Sequence, residues 1–371
     1  MALDTPYRAI FCDLWTDTTL DILPLRDVSF EDYIGRAGSL SGTVPIPDSS
    51  IAERAHRIKP GRTTVYLERG GDLWWGGIVW TTNLQSSGRG VVTLGIQAAT
   101  FDSYAARRRI RTDAFKTEFT QPTDQFVIAR SLWNSLSAGL GNSGIEVGDW
   151  EEKSGVTRTV SYRHGDETVY QEALDQLASQ DKGFEYQVLV YRDPNDNGKR
   201  VRQLRLGSPI RTGATDMIFD RPGVILSYSF SDDATRGGTV ALARGASTNS
   251  NAGAESRPTL SDLRRPQNPL PDLWPEIDLS SDHNEVSDKA TLNSLAQAAV
   301  DAPWGAVQIP EISIRLGGIV PPALLGRTAR IRITDEWHPT GLDARYRIVG
   351  VKVKPAERGK PDTAELALEE S

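Results

Sequence analysis

Thr64-Val65-Tyr66-Leu67-Glu68-Arg69-Gly70-Gly71-Asp72-Leu73-Trp74-Trp75-Gly76-Gly77-Ile78-Val79-Trp80 reads as a β-hairpin. The first strand alternates its side chains with the period of two that puts successive residues on opposite faces. Gly70-Gly71 supplies a turn, since glycine enters positive φ without steric cost. Residues 73–80 return as an apolar, aromatic strand. The Gly76-Gly77 pair inside it marks a bulge or a close backbone approach. Residues 91–98 supply a further strand, so residues 1 to about 100 read as mostly β.

Past residue 101 the period changes. Over 124–138, Phe126, Ala129, Leu132, Trp133 and Leu136 share one helical face, and Gly139 stops the helix. A second helix is expected over 168–182, with Thr168 and Gln171 as a capping box, Tyr170, Ala173, Leu174, Leu177 and Ala178 on one face, and Gly183 at its end. Strands follow over 184–191 and 201–206, joined by the turn Asp193-Pro194-Asn195-Asp196-Asn197-Gly198. Residues 224–230 and 238–244 begin a second strand-rich region. Residues 245–275, dense in Ser, Asn, Gly and Pro, read as a long loop. One helix follows, with Ser287 as its cap and Leu292, Leu295, Ala296 and Ala299 on one face. Strands resume over 328–334, 345–353 and 363–369. The pattern is β, α+β, β, with an insertion in the second β region. Residues 63–80 and 328–353 each form a strand–turn–strand ending on an apolar strand with glycine in it. That admits two readings: an internal duplication, or the common appearance of small antiparallel barrels.

At 371 residues the chain is long enough for two to four compact units, at ~100–200 residues each. Hydrophobic residues make up 38% and charged residues 25%, a soluble globular profile. The net charge of −7 argues against general nucleic-acid affinity, which needs a basic surface. A single cysteine, Cys12, excludes an intrachain disulfide, and with four scattered histidines it supplies no familiar zinc set. Residues 1–10 lack a secretory pattern, and no apolar run approaches the ~18 residues that span a bilayer. Synthesis in a cytoplasm is expected, without membrane insertion, and with exit inside a particle or by lysis.

Candidate chemical motifs dissolve on inspection. Gly139-Leu140-Gly141-Asn142-Ser143-Gly144 matches a dinucleotide fingerprint as text, but a helix precedes it where a strand is required. The 193–198 turn resembles the start of an EF-hand loop, yet Leu204 stands where the bidentate Glu belongs. Gly38-Ser39-Leu40-Ser41-Gly42 has Leu at the nucleophile position. Cys12, between Phe11 and Leu14, reads as a buried small hydrophobe. His56, His164, His283 and His338 are isolated. The acidic runs Asp149-Trp150-Glu151-Glu152 and Asp232-Asp233 are what 49 acidic residues give by chance. No catalytic, cofactor or metal residue is therefore assigned, and no enzyme is expected. Trp74, Trp75 and Trp80 could stack on sugars. Packing is the simpler reading, with one of the adjacent pair in the core and the other towards a neighbouring unit or chain. Arg107-Arg108-Arg109 with Arg111 reads as a solvated helix face or as salt bridges across a subunit interface.

Several stretches, taken in order, resemble the baseplate hub or minor tail proteins of long-tailed (siphovirus) phages of actinobacteria. They are Ile34-Gly35-Arg36-Ala37-Gly38-Ser39-Leu40-Ser41-Gly42-Thr43-Val44-Pro45, then Thr64-Val65-Tyr66-Leu67-Glu68-Arg69 leading into Trp75-Gly76-Gly77-Ile78-Val79-Trp80. Leu325-Gly326-Arg327-Thr328-Ala329-Arg330-Ile331 and Tyr346-Arg347-Ile348-Val349-Gly350-Val351 complete the likeness, which spans nearly the full chain. The resemblance implies a mainly β fold with an α+β part: two tail-tube-like β-barrel hub domains, an intervening α+β domain and an inserted loop and helix element. The expected domains are 1–100 (first barrel), 101–206 (α+β), 207–245 with 303–371 (second barrel) and 246–302 (insertion). It further implies a homotrimeric ring at the virion tail tip. The ring would contact the tail tube, distal tail protein, tape measure and tip or fibre proteins, and would let DNA pass without specific binding. A receptor- or carbohydrate-binding tail module and the hub of a contractile injection system are the alternatives.

Overall fold

The computed structural model describes residues 6–88, 90–138, 142–148, 150–196, 198–233, 237–248, 257–266, 275–301, 307–357 and 359–370. The chain opens with β1 (Arg8–Asp13), β2 (Thr19–Leu23), β3 (Arg26–Tyr33), β4 (Ser39–Ile46), helix α1 (Ser49–Ala55), β5 (Thr63–Arg69), β6 (Asp72–Ser86) and β7 (Val92–Thr100). β5 and β6 form the hairpin read from sequence, with Gly70 at φ +63° and Gly71 at +98° in its turn. The glycine pair within β6 serves close approach: a Cβ on Gly77 would lie 2.2 Å from the Ala99 carbonyl oxygen, and one on Gly76 would lie 2.8 Å from the Tyr66 ring.

Next come β8 (Thr123–Asp124), α2 (Gln125–Leu136), β9 (Thr157–Arg158), α3 (Tyr170–Ala178), and the hairpin of β10 (Glu185–Arg192) with β11 (Arg200–Gly207). Asp124 caps α2, its carboxylate accepting from Phe126 N at 2.9 Å. Phe126, Ala129, Leu132, Trp133 and Leu136 are all buried. At the start of α3, Gln171 donates to the Tyr186 hydroxyl, and Glu172 accepts from Val169 N at 3.2 Å.

The remaining strands of the large sheet are β12 (Met217–Arg221) and β13 (Ile225–Asp233). After the insertion, whose elements are β14 (Val240–Thr248), β15 (Arg257–Leu260), β16 (Asp278–Asp282) and α4 (Lys289–Asp301), come β17 (Val307–Arg315), β18 (Thr328–Ile333), β19 (Leu342–Lys354) and β20 (Thr363–Glu370). The large sheet has 13 strands in the order β13-β17-β20-β19-β3-β4-β7-β6-β5-β1-β2, with β18 also on β19 and β12 on β18.

The chain divides into two compact units. One comprises Met1–Leu174, Glu185–Tyr228 and Glu311–Ser371, and the other Asp175–Phe184 and Ser229–Pro310. The second unit has a three-stranded sheet, β15-β14-β16, with β16 parallel and β15 antiparallel to β14. Its core is Ala241, Ala243, Val286, Leu292, Leu295, Ala296 and Val300. Two expectations are corrected here. Residues 238–244, expected to begin the second β region, instead pair within this small sheet. Within the stretch read as a loop, Arg257–Leu260 is a strand, held because Ser261 N donates to Ala243 O; parts of that stretch, 249–256 and 267–274, lie outside the described residues. The cap of α4 is also Asp288 rather than Ser287, accepting from Thr291 N at 2.7 Å.

Candidate assembly interface

One five-strand arrangement occurs twice in the large sheet. In chain order β3, β4, β5, β6, β7 lie side by side as β3-β4-β7-β6-β5. In chain order β13, β17, β18, β19, β20 lie as β13-β17-β20-β19-β18. The registers agree in detail. β6 carries one extra residue, Trp80, between the pairs Val79↔Ala98 and Thr81↔Gln97. β19 carries one, Val349, between Ile348↔Leu368 and Gly350↔Ala367. Counting outward from these bulges aligns Val65 and Leu67 with Ala329 and Ile331, all buried. It aligns residues 40–44 with 310–314, and the two runs share one order of burial: buried, exposed, buried, intermediate, buried. The two barrels are one architecture used twice. The glycines that suggested this in sequence are not equivalent, because Gly350 aligns with Thr81 and not with Gly76 or Gly77.

The two copies join edge to edge. β19 is longer than its partner β18: residues 342–347 pair with β18, and residues 350–353 run on to pair antiparallel with β3. The pairs are Gly350↔Tyr33, Val351↔Asp32, Lys352↔Glu31 and Val353↔Phe30, extended by Ile34 N donating to Val349 O at 2.9 Å. A Cβ on Gly350 would lie 2.4 Å from the Tyr33 ring, so this crossing is tight. Phe30 and Val353 are both buried, and each such side chain contributes ~1.5–3 kcal/mol relative to exposure.

Buried arginines brace the joint. Arg69, from the first barrel, pairs with Asp362 of the second, and Tyr7 donates to the same carboxylate at 2.5 Å. The Trp74 ring lies edge-on to Tyr7 at 5.1 Å, with the Arg69 guanidinium 5.3 Å from it. Burial pushes the Asp362 carboxyl up, but hydrogen bonds from Tyr7 and Arg69 outweigh it and hold the group below the ordinary carboxylate range. Burial, then the bond to Asp362, pushes the Tyr7 phenol up. The β10–β11 hairpin is tied to both barrels. Arg202 reaches Tyr66 (2.8 Å), Asp17 (2.8 Å) and the Leu14 carbonyl (2.9 Å), and Arg192 pairs with Glu68. On the other side Glu185 receives Arg347 at 2.5 Å. Asp32, on the joining strand, is half-buried, and burial together with the Asp102 carboxylate pushes it up to about 8.

No protein-family model matches this sequence, and no curated protein matches it. Solved structures do. A tail protein from Neisseria meningitidis superposes with a TM-score of 0.57 at 13% identity, covering 98% of this chain and 97% of that one. The 43 kDa tail protein of prophage MuSo2 from Shewanella oneidensis gives 0.57 at 11% identity, covering 98% of both. A prophage tail protein from Listeria monocytogenes gives 0.52 at 15%, covering 97% and 94%. The fold is that of phage tail proteins. A chain in a Francisella PdpA–VgrG complex also shares it, with a TM-score of 0.56 at 8% identity, over 99% of this chain and 58% of that one.

Within this tail-protein fold the residues singled out from sequence serve packing. Trp74 and Trp75 are both buried in the single chain, and the Trp75 indole donates to Glu31 O at 3.0 Å. Trp80 donates to Ser103 Oγ at 2.9 Å and lies under Arg107. Trp74 and Trp75 are thereby closed to a ligand, and Arg107 lies over the partly buried Trp80 ring. The arginine run is not a helix face: Arg107 ends a 3-10 turn (Phe101–Arg107) and Arg108 is extended. Arg109 and Arg111 meet Glu167 at 3.6 and 3.4 Å, and the run lines a 480 Å³ cleft with Ser135 and Tyr170. Cys12 is buried within β1. His56 caps α1, His283 meets Ser281 Oγ at 3.0 Å and His338 lies against Tyr228, while His164 N donates to Asp113 at 3.2 Å, so the four serve separate elements. Glu152 pairs with Arg130 at 2.6 Å; Asp149 and the Asp232 side chain lie outside the described residues. Asp193 N donates to Lys199 O and Gly198 adopts φ +70°, a hairpin turn. Gly139, Leu140 and Gly141 lie outside the described residues. After them Glu146 bridges to Gln203, where a dinucleotide site would need a helix. What sequence reasoning missed is the joint itself. Its only local signal is that β19 is longer than the strand it pairs with.

Proposed function

We propose that the chain is a non-enzymatic structural virion protein that forms a homotrimeric hub at a phage tail tip. The observation that carries this is the duplicated barrel joined edge to edge by β3 and β19. A chain with two equivalent barrels presents near-sixfold contacts to a tube of hexameric rings and threefold contacts to a trimeric fibre or spike, and a closed ring removes exposed sheet edges. The partners follow from that position: the tail tube and distal tail protein on one side, tip or fibre proteins on the other, and the tape measure within. The sequence resemblance points to long-tailed phages of actinobacteria. The channel would pass DNA without holding it. Ser41, Thr43, Thr81, Asn83, Gln85, Thr93 and Gln97 form a polar sheet face with Asp27 among its lining residues, and on the second barrel Lys352 and Lys354 both pair with Glu365. The face of the first barrel suits passage, because hydroxyls, amides and a carboxylate offer phosphate no attraction.

Negative-stain class averages, with mass photometry of the same sample, test the reading. A threefold ring with a central hole at three times 40.7 kDa is expected. A uniform population of monomers in the presence of the neighbouring tail proteins would refute it. A second reading keeps the fold and changes the machine to a contractile injection system. The match to a chain of the Francisella complex favours it, and isolating the native particle and finding a contractile sheath on it would select it.

A further inference from the structure

One cleft gathers positive charge in a chain whose net charge is −7. Arg107, Arg108, Arg109 and Arg111 line its 480 Å³, and the rest of the lining is the hydroxyl side chains of Thr112, Ser135 and Tyr170. Every one of these side chains carries a hydrogen-bond donor. The backbone beneath the arginines is fixed. Arg109 bridges antiparallel to Val169, Ile110 N donates to Thr168 O at 2.9 Å, and Tyr170 N donates to Arg108 O at 3.1 Å. The Ile110 side chain is 0% exposed and anchors the run from below. Guanidiniums that start from a held backbone lose less freedom on meeting a ligand.

The chain's own acids do not neutralise this charge. Among the described residues, Glu167 is the carboxylate that meets the run. It stands 3.6 Å from Arg109 and 3.4 Å from Arg111, both longer than the about 2.7–2.9 Å of a close charge-assisted bond. Arg107 lies over the Trp80 ring, and Arg108 donates to the Tyr104 hydroxyl at 3.0 Å. Neither has a carboxylate partner among the described residues. Four guanidiniums against one carboxylate leave three positive charges. The Ser135 and Tyr170 hydroxyls lie 2.8 Å apart. One O–H serves that bond and the other is left to donate, from a pair whose tyrosine is 3% exposed.

We propose that this cleft binds a small molecule through a pair of linked phosphate groups. Guanidinium forks match phosphate oxygens two bonds at a time. Two phosphates at about 1.5–2 negative charges each balance the three positive charges. The volume lies in the ~300–1,000 Å³ range of small-molecule sites. A peptide segment would need apolar surface to bury, and the lining has no aliphatic residue and a single, closed ring. A DNA duplex is held by contacts along several successive phosphates, whereas this charge is confined to one hollow. The site belongs to the single chain, so it stands or falls apart from the trimeric reading.

Isothermal titration of the full chain with inorganic pyrophosphate tests it. A complex with one ligand per chain is expected. Arg107→Gln combined with Arg108→Gln should weaken it about tenfold or more, through the loss of two charge-assisted contacts. Arg111→Gln alone, at a side chain 67% exposed and so without risk to the fold, should weaken it to a smaller extent. Arg330→Gln, at an exposed arginine paired with Asp343, should leave it unchanged. ATP is the second arm. Affinity equal to that of pyrophosphate would mean that phosphates alone are read, and tighter binding would add a nucleoside to the ligand; both results support the site. No complex with either ligand, no loss in the cleft variants, or an equal loss in Arg330→Gln overturns it. Tighter binding of an oligoglutamate peptide than of pyrophosphate would also overturn it, and would give the cleft to an acidic segment of a neighbouring protein. Tighter binding of a short DNA duplex would overturn it in favour of the nucleic acid.

Discussion

Arg69 and Asp362 stand 293 positions apart in sequence and meet in the interior where the two barrels join. Both are nearly fully buried, so removing one partner strands the other's charge away from water. Arg69→Ala is expected to cost about 3–5 kcal/mol in urea unfolding. Arg69→Met combined with Asp362→Leu should recover much of that loss, because an apolar pair of similar volume has no charge to desolvate. Asp32 behaves in the opposite sense to a salt-bridged acid. Its folded value is raised from 3.8 to about 8, so below the unfolded value both states hold the proton and its contribution to stability is full. As the pH rises towards 8 the unfolded chain releases the proton while the folded one keeps it, and stability falls. Asp32→Asn should therefore flatten the decline of the urea midpoint between about pH 5 and about pH 8. A variant that declines as steeply as the parent would show that Asp32 is not the group responsible. Such residues were not legible as a site. Composition and local pattern reveal that an acid exists, and only the fold reveals which charge it faces.

At the scale of elements, local chemistry was readable where it is decided within a few residues. The 64–80 hairpin follows from alternation and two glycines, α2 from the spacing of Phe126, Ala129, Leu132, Trp133 and Leu136, and the 193–198 turn from its Asp, Pro and Gly. What the pattern could not carry was pairing between distant strands. Equivalent positions of the two barrels, such as Tyr66 and Arg330 or Trp80 and Val349, share a place in the sheet but no chemistry, so the duplication survives in register and burial alone. The joint is correspondingly sensitive to shape. Gly350→Ala puts a methyl against the Tyr33 ring and is expected to cost about 1–3 kcal/mol by overpacking. Gly95→Ala, where a Cβ would find its nearest neighbour at 3.5 Å, should cost less. Comparable losses at the two positions, measured by urea unfolding, would mean that the β3–β19 crossing is looser than it is drawn.

For the molecule as a whole, net charge was legible in the sequence and its placement was not. The −7 balance says only that the chain does not attract nucleic acid in general. The structure adds that one sheet face of the first barrel, built from Thr81, Asn83 and Gln85 on β6 with Ser41, Thr43, Thr93 and Gln97 beside them, carries hydroxyls and amides, with Asp27 among its lining residues and no lysine or arginine. If that face borders the DNA path, its lack of positive charge is functional, since a conduit must not bind phosphate. Replacing Thr81, Asn83 and Gln85 by lysine leaves the fold intact, because all three are exposed, and in a trimer it rings the path with positive charge three times over. The assembled variant should then bind double-stranded DNA with an affinity that falls steeply as salt rises, the signature of counterion release, while the parent shows no such binding by fluorescence anisotropy. Virions carrying the variant should eject DNA more slowly. A parent ring that binds DNA tightly at physiological salt, or a lysine variant indistinguishable from it, would place this face away from the channel and leave the polar surface to a contact with the tube wall instead.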